Sequence, residues 1–158
     1  MLSQTRANEL FTYVDGALYR KKSLAGVRAG LAGGKDAKGY FRVRIDGERF
    51  LMHKIIFLMH TGNFPHIIDH KDGNPSNNRI ENLREATSAQ NAQNSALKRT
   101  NTSGAKGVSW FKASKQWRVQ VNINKRVVHC GYFEDFELAE LVAIEARAKH
   151  YGGFARHA

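Results

Sequence analysis

Cysteine is nearly absent. Cys130 is the single one in 158 residues, which excludes an internal disulfide framework and any multi-cysteine zinc site and suits a reducing compartment. No long apolar run occurs: the richest, residues 50–59, is too short to span a bilayer and contains His53 and Lys54. The opening MLSQTRANEL lacks the apolar centre of a secretion signal. These absences predict a soluble, intracellular protein with no membrane partner. Acidic residues are missing altogether between Glu85 and Glu134, while Lys98, Arg99, Lys106, Lys112, Lys115, Arg118, Lys125 and Arg126 fall inside that interval. With a formal charge of +11 and a pI near 10.0, the chain is built to meet a polyanion, and the Trp and Asn interleaved with the cations favour nucleic acid. An apolar fraction of 42% is enough for a folded core.

Along the chain, residues 9–22 read as a hairpin turning at Asp15-Gly16, and residues 23–38 as a Gly/Ala/Lys-rich loop. From Gly39 to Phe50, Phe41, Val43 and Ile45 alternate with Arg42, Arg44 and Asp46, giving a second hairpin with one apolar and one cationic face. Leu51, Ile55, Leu58 and Met59 then recur at helical spacing, with Gly62 as a stop. His53 lies inside that helix and reads as a structural histidine.

The stretch PHIIDHKDGNPSNNRIENLREATSAQNAQN, residues 65–94, organises the rest. A short strand ends at Asp69-His70, a Gly/Asn/Pro-rich loop follows, residues 80–84 return as a strand, and Thr87-Ser88-Ala89-Gln90 forms a capping box for a helix to about Lys98. His66 and His70 are four apart, but the zinc-protease pattern needs a helix and a Glu after the first His, and here Ile67 follows. A histidine of near-neutral pKa can deprotonate water, and a hard cation held by carboxylate and amide oxygens can stabilise a phosphate under attack. Adjacent strand residues point to opposite faces, so Asp69 and His70 serve one site only if the strand twists or ends there.

Asp69-His70-x-Asp72-Gly73-Asn74, then Asn77-Asn78-Arg79-Ile80-Glu81-Asn82-Leu83, then Asn91, resemble the HNH endonucleases of the phage and homing branch. The resemblance implies a ββα-metal fold in which His70 is the general base, Asp69 and Asn91 are metal ligands, and Asn82 clamps the loop. Asn91 stands where other branches carry a third histidine, which implies oxygen ligands and Mg²⁺, or another hard divalent ion such as Mn²⁺. It further implies cleavage to 3′-hydroxyl and 5′-phosphate ends.

Beyond a polar segment at residues 99–104, read as a linker, strand patterns cover residues 106–112, 116–123 and 126–133, followed by a helix over 136–150. Ser103-Gly104-x-Lys106-Gly107-Val108-x-Trp110, Trp117-Arg118-Val119 and His129-Cys130-Gly131-Tyr132-Phe133 resemble the Apetala-type ethylene-response-factor domain, whose three-stranded sheet enters the DNA major groove. Val127 and Ala143 depart from that family's pattern. The resemblance directs Lys106, Arg118, Gln120, Asn122, Val127 and His129 to DNA; Trp110, Lys112 and Lys125 join the expected interface as neighbouring stacking or cationic groups. The expectation is an α+β chain with a nuclease domain over residues 1–98 and a DNA-binding domain, a three-stranded antiparallel sheet on one helix, over residues 99–158. It would act on double-stranded DNA as a monomer that nicks. A non-catalytic DNA-binding regulator with the same fold is the alternative.

Overall fold

The computed structural model describes residues 2–21, 28–123 and 125–156 and forms a mixed α/β chain of small antiparallel sheets. Two compact units divide it, Met1–Thr87 and Ser88–Ala158. The break falls eleven residues before the expected one, because residues 99–104 are not a slack connector. Ser103 Oγ donates to the Val108 carbonyl at 2.8 Å, and the Gly104 N–H donates to Asn101 Oδ1 at 2.8 Å, so the segment folds with the sheet that follows.

The first unit opens with a helix that the sequence reading did not anticipate, α1 (Gln4–Leu10). Ser3 caps it by accepting from the Arg6 N–H at 3.1 Å, and it buries Ala7 and Leu10. The expected hairpin then pairs β1 (Phe11–Val14) with β2 (Ala17–Arg20), both turn residues Asp15 and Gly16 having positive φ. Lys22 and residues 23–27 of the anticipated loop lie outside the described residues. The remainder of that loop contains two short strands, β3 (Gly30–Leu31) on β2 and β4 (Gly34–Lys35) on β5 (Phe41–Ile45). β5 pairs with β6 (Glu48–Leu51) through an Asp46-Gly47 turn, burying Val43 and Ile45 and exposing Arg42 and Arg44. α2 (Met52–Thr61) ends on Gly62 at φ 75°, whose N–H returns to the Leu58 carbonyl at 2.9 Å. Its Ile55 and Ile56 are fully buried against Phe11, Leu18 and Val43, the core on which the next hairpin rests.

That hairpin is β7 (Ile68–His70) against β8 (Leu83–Glu85). Three of the five residues of the anticipated return strand form a 3₁₀ turn, Ile80–Asn82. The cause is local: the Asn82 N–H bonds to the Arg79 carbonyl at 2.9 Å, and the Ile80 N–H is taken by the Tyr13 hydroxyl at 3.1 Å, so neither is left for a ladder.

The second unit begins with α3 (Ser88–Gln93), shorter than the helix expected to reach Lys98. Ser95 intervenes: its hydroxyl and its N–H both bond to the Ala92 carbonyl, and its own carbonyl accepts from Lys106 Nζ at 2.5 Å. Three antiparallel strands, β9 (Val108–Phe111), β10 (Gln116–Ile123) and β11 (Arg126–Phe133), lie in the order β11-β10-β9. α4 (Phe136–Tyr151) is capped by Asp135 Oδ1, which accepts from the Leu138 N–H at 2.7 Å, and buries Ala139 and Ala143 against Val108 and Val119.

Candidate active site

β7 is buried along its whole length, an unusual position for Asp-His. The regular register sets Asp69 opposite Arg84 and His70 opposite Leu83, which turns the two polar side chains to opposite faces. Asp69 Oδ2 accepts from Arg84 Nε at 2.8 Å and lies 2.7 Å from Arg84 Nη2, with the carboxylate side chain only 5% exposed. A buried carboxylate beside apolar Ile68 requires such a partner. The strand ends at His70, because the Gly73 N–H takes its carbonyl at 2.8 Å and starts the loop.

His70 is 5% exposed and lies beside Asn78, His53 and Tyr40. Its Nε2 donates to Asn78 Oδ1 at 3.1 Å, and Asn78, 2% exposed, spends its own amide hydrogen on Met52 Sδ at 3.8 Å. An acceptor at Nε2 makes Nδ1 the basic ring nitrogen. The His53 ring meets the His70 ring edge-on at 4.9 Å, and Tyr40 lies 6.0 Å away. His53 is 3% exposed, and burial, then the neighbouring charges of His70, Lys54 and Arg42, push its pKa down to about 3. It is a neutral ring packed on the candidate base. Neither Asn78 nor Arg84 was singled out from sequence; both stand in the stretch that carries the pattern, but only the fold shows which side chain faces which.

Asn82 ties the loop. Its Oδ1 accepts from the Asp72 N–H at 3.1 Å, and its Nδ2 donates to Asp72 Oδ1 at 3.0 Å and to the Asn77 carbonyl at 2.8 Å. Burial would raise the Asp72 carboxyl, but hydrogen bonds from the Asn74 N–H and from the Asn77 and Asn82 side chains, with the charge of His70, hold it below its ordinary value. The N-terminal hairpin braces the same loop through an Arg79–Asp15 ion pair at 2.8 Å. Asp69, His70 and Asn82 therefore share one hairpin of the first unit; Asn91 is exposed on α3 of the second. Among the described residues no three His, Cys, Asp or Glu side chains cluster as a metal cage. A carboxylate oxygen such as that of Asp69 suits a hard ion that keeps most of its water, rather than zinc held by nitrogen and sulfur.

In the second unit, Arg118 pairs with Tyr132 and Ser109, and Gln120 with His129. His129 and Tyr132 are three apart and would face opposite ways in a regular strand. A bulge beside Gly131, whose φ is 136°, brings both to the outer face, with ring centroids 4.5 Å apart. The Arg118 guanidinium lies over Phe111 at 5.4 Å and donates from Nη2 to Ser109 Oγ at 3.3 Å. Arg118, Gln120 and His129 thus share a surface with Phe111 and Tyr132, two residues the sequence reading passed over. Exposed Asn122 continues that strand, its backbone N–H and carbonyl both bonded to the Tyr151 hydroxyl, and Val127 opposite it is exposed. Lys112 and Lys125 are exposed in the connections. Two residues are placed otherwise. Trp110 pairs with Trp117 on the face toward α4, with ring centroids 5.0 Å apart, and Lys106 turns its ammonium inward to the carbonyls of Ser95 and Arg156.

Residues 50–93 match the family model described as HNH endonuclease, a span that includes Asp69, His70, Asn82 and Asn91. Protein 3.8 of Escherichia phage T7 is 40% identical over 91 residues, covering 56% of this chain and 73% of the phage protein. No solved structure matches the chain. Among the described residues no helix is long and apolar enough to cross a membrane. The chain belongs to the family of phage T7 Protein 3.8, and its residues 50–93 form a domain of the HNH endonuclease type.

Proposed function

We propose that the protein is a divalent-metal-dependent DNA endonuclease that hydrolyses phosphodiester bonds with His70 as general base. The observation that carries this reading is the orientation of His70 inside the HNH-matching span: Asn78 fixes its Nε2–H, so Nδ1 is the nitrogen that takes the proton from water. The resulting hydroxide attacks phosphorus, the bond to the 3′ oxygen breaks, and the ends are a 3′-hydroxyl and a 5′-phosphate. Asp69 is the oxygen ligand this hairpin offers, and Asn91 carries a second oxygen of the same hard type. When bound, a Mg²⁺ or Mn²⁺ ion supplies charge stabilisation to the phosphate and to the departing oxygen. Asn82 keeps the loop after His70 in register, and Arg84 holds the Asp69 carboxylate in one orientation.

The outer face of the C-terminal sheet, resembling the ethylene-response-factor domain, supplies duplex affinity through Arg118, Gln120 and His129, the side-chain types that read base edges. One Asp-His set cuts one strand, so a single protomer nicks. A non-catalytic DNA-binding regulator is the second reading, and the guanidinium on Asp69 favours it by competing for the carboxylate. Supercoiled plasmid incubated with Mg²⁺ separates the two: open circles support the nuclease, and unchanged substrate supports the regulator.

A further inference from the structure

The outer face of the C-terminal sheet changes character toward its hairpin end. Along β10 it presents Arg118, Gln120 and then Asn122, two residues apart each time, because β10 itself is regular and the extra residue of the bulge belongs to β11. Tyr132, His129 and Val127 stand opposite them. Arg118 and His129 are engaged by the rings of Phe111 and Tyr132. The last pair is an amide facing an isopropyl group, both exposed, Val127 to 64%. A valine so exposed adds little to the core.

The backbone fixes how these two side chains stand. The Asn122 N–H donates to the Tyr151 hydroxyl at 3.2 Å, and the Asn122 carbonyl accepts from that hydroxyl at 2.8 Å. Tyr151 thereby fills the edge of β10 that β9, which pairs only as far as Val119, leaves open. Neither backbone group is left for β11, so Asn122 and Val127 form a non-hydrogen-bonded pair, the kind whose side chains lie closest, with Cβ atoms about 4.5–5.5 Å apart. Both of these Asn122 bonds are made by its backbone, and the side-chain amide remains exposed.

An amide sets one acceptor beside donors, the complement of adenine N7 and N6–H₂, and an apolar group is the complement of the thymine C5-methyl. A guanine in the same place shows two acceptors and leaves the amide oxygen unmatched, and its cytosine has no methyl. Neither side chain is charged, so neither is drawn to phosphate; exposed Lys125 and Arg126 beside them supply that attraction. Gln120 also carries an amide, but its partner His129 can donate or accept, so that pair does not single out one base pair.

We infer that Asn122 and Val127 together read one A·T base pair in the major groove, adenine on the Asn122 amide and the methyl of its thymine against Val127. This rests on the reading of the outer face as a duplex-binding surface and names a base that reading leaves open. Asn122 stands about 13 Å along the strand from Arg118, so its base pair lies within about four steps, at about 3.4 Å each, of the one Arg118 contacts.

Site selection by the full chain in EDTA, from duplexes with a randomised core, tests it, followed by fluorescence anisotropy on the enriched duplex. Wild type enriches a sequence with an A·T pair whose replacement by G·C weakens binding at least about fivefold. Asn122→Ala loses that preference and keeps the neighbouring ones. Replacing the thymine of the pair by deoxyuridine, which removes only the methyl, weakens wild type about threefold and leaves Val127→Ala unaffected. Both substitutions are on the surface, and unchanged urea midpoints verify the fold. Base preferences that all survive in Asn122→Ala, an Asn122-dependent pair other than A·T, or a wild type indifferent to the methyl overturns the inference. The outer-face reading then still stands if Arg118→Ala alters the enriched sequence. If wild type enriches no sequence at all, the inference and the reading beneath it both fall.

Discussion

Replacing Asn78 by leucine removes the acceptor at His70 Nε2 while nearly conserving volume. Both side chains are almost completely buried, at 2% and 5% exposure, so water cannot take over the Nε2–H. Leaving that donor unpaired costs about 1–3 kcal/mol of stability, and the lost Met52 contact adds little because sulfur is a weak acceptor. The ring can avoid the penalty by moving its proton to Nδ1, but the basic nitrogen then faces leucine. The first route leaves Nδ1 basic and costs stability alone; the second disables the proposed base, so to the extent that the tautomer shifts, cleavage falls by up to the whole general-base contribution, about 10²–10⁴-fold. Asn78→Asp keeps an acceptor at the same place and retains far more activity than Asn78→Leu. Nicking rates under single-turnover conditions, with urea midpoints at unchanged m-value, separate catalysis from folding. Equal nicking by the leucine and aspartate variants, or leucine activity within twofold of wild type, refutes the orienting role.

His53 makes stability acid-sensitive. Its folded pKa of about 3 lies below the unfolded value near 6.5, so the unfolded chain binds the extra proton and stability falls as pH drops through 6.5 toward 3. Between pH 7 and pH 5 the loss is about 2 kcal/mol, visible in urea midpoints, and His53→Phe removes that slope; a slope unchanged in the variant contradicts it. Asp69→Asn leaves Arg84 facing a neutral amide and costs about 3 kcal/mol, near the low end for a broken buried pair because Arg84 is 17% exposed. Both Asp69→Asn and Asn91→Ala weaken Mg²⁺-dependent nicking, and excess Mg²⁺ rescues Asn91→Ala better because Asp69 carries the charge; identical titration curves for the two remove the ligand assignment. Arg118→Ala weakens duplex binding by about 1–3 kcal/mol and relaxes preference at one base if it reads guanine, whereas a uniform loss with a shallower salt slope makes it a phosphate contact. A point substitution is the right tool there, since truncation at Gly104 would cut through the compact unit that begins at Ser88.

Alternating residues made β5, β10 and β11 legible, because one covered face imposes a period of two, and Gly62 stopped α2 where its left-handed geometry demanded it. The Asp-His, Asn-Leu order located the candidate hairpin for the same reason that a loop clamp and a strand-end histidine need fixed spacing. What the sequence hid was pairing across distance. Nothing local says that Asn78 rather than Asn77 meets His70, that Arg84 covers Asp69, or that Lys106 turns inward to Ser95 and Arg156. Trp110 was expected at the interface for its stacking chemistry, and its register with Trp117 sets it on the side of α4. A bulge also breaks the period: His129 and Tyr132 reach one face only through the extra residue between the pairs at Val119 and Gln120. α1 escaped notice because Ser3 caps it without an acidic first turn, so its start signal is one hydroxyl.

The most direct test compares wild type and His70→Ala on supercoiled plasmid, each with Mg²⁺ and with EDTA, while duplex binding is measured in parallel. Wild type with Mg²⁺ converts plasmid first to open circles, with linear DNA late. His70→Ala binds DNA like wild type and nicks at least a hundredfold more slowly, within the about 10²–10⁴-fold range of general-base catalysis. Plasmid left intact by the wild type, or cut equally well by His70→Ala or in EDTA, contradicts metal-dependent cleavage with His70 as its base.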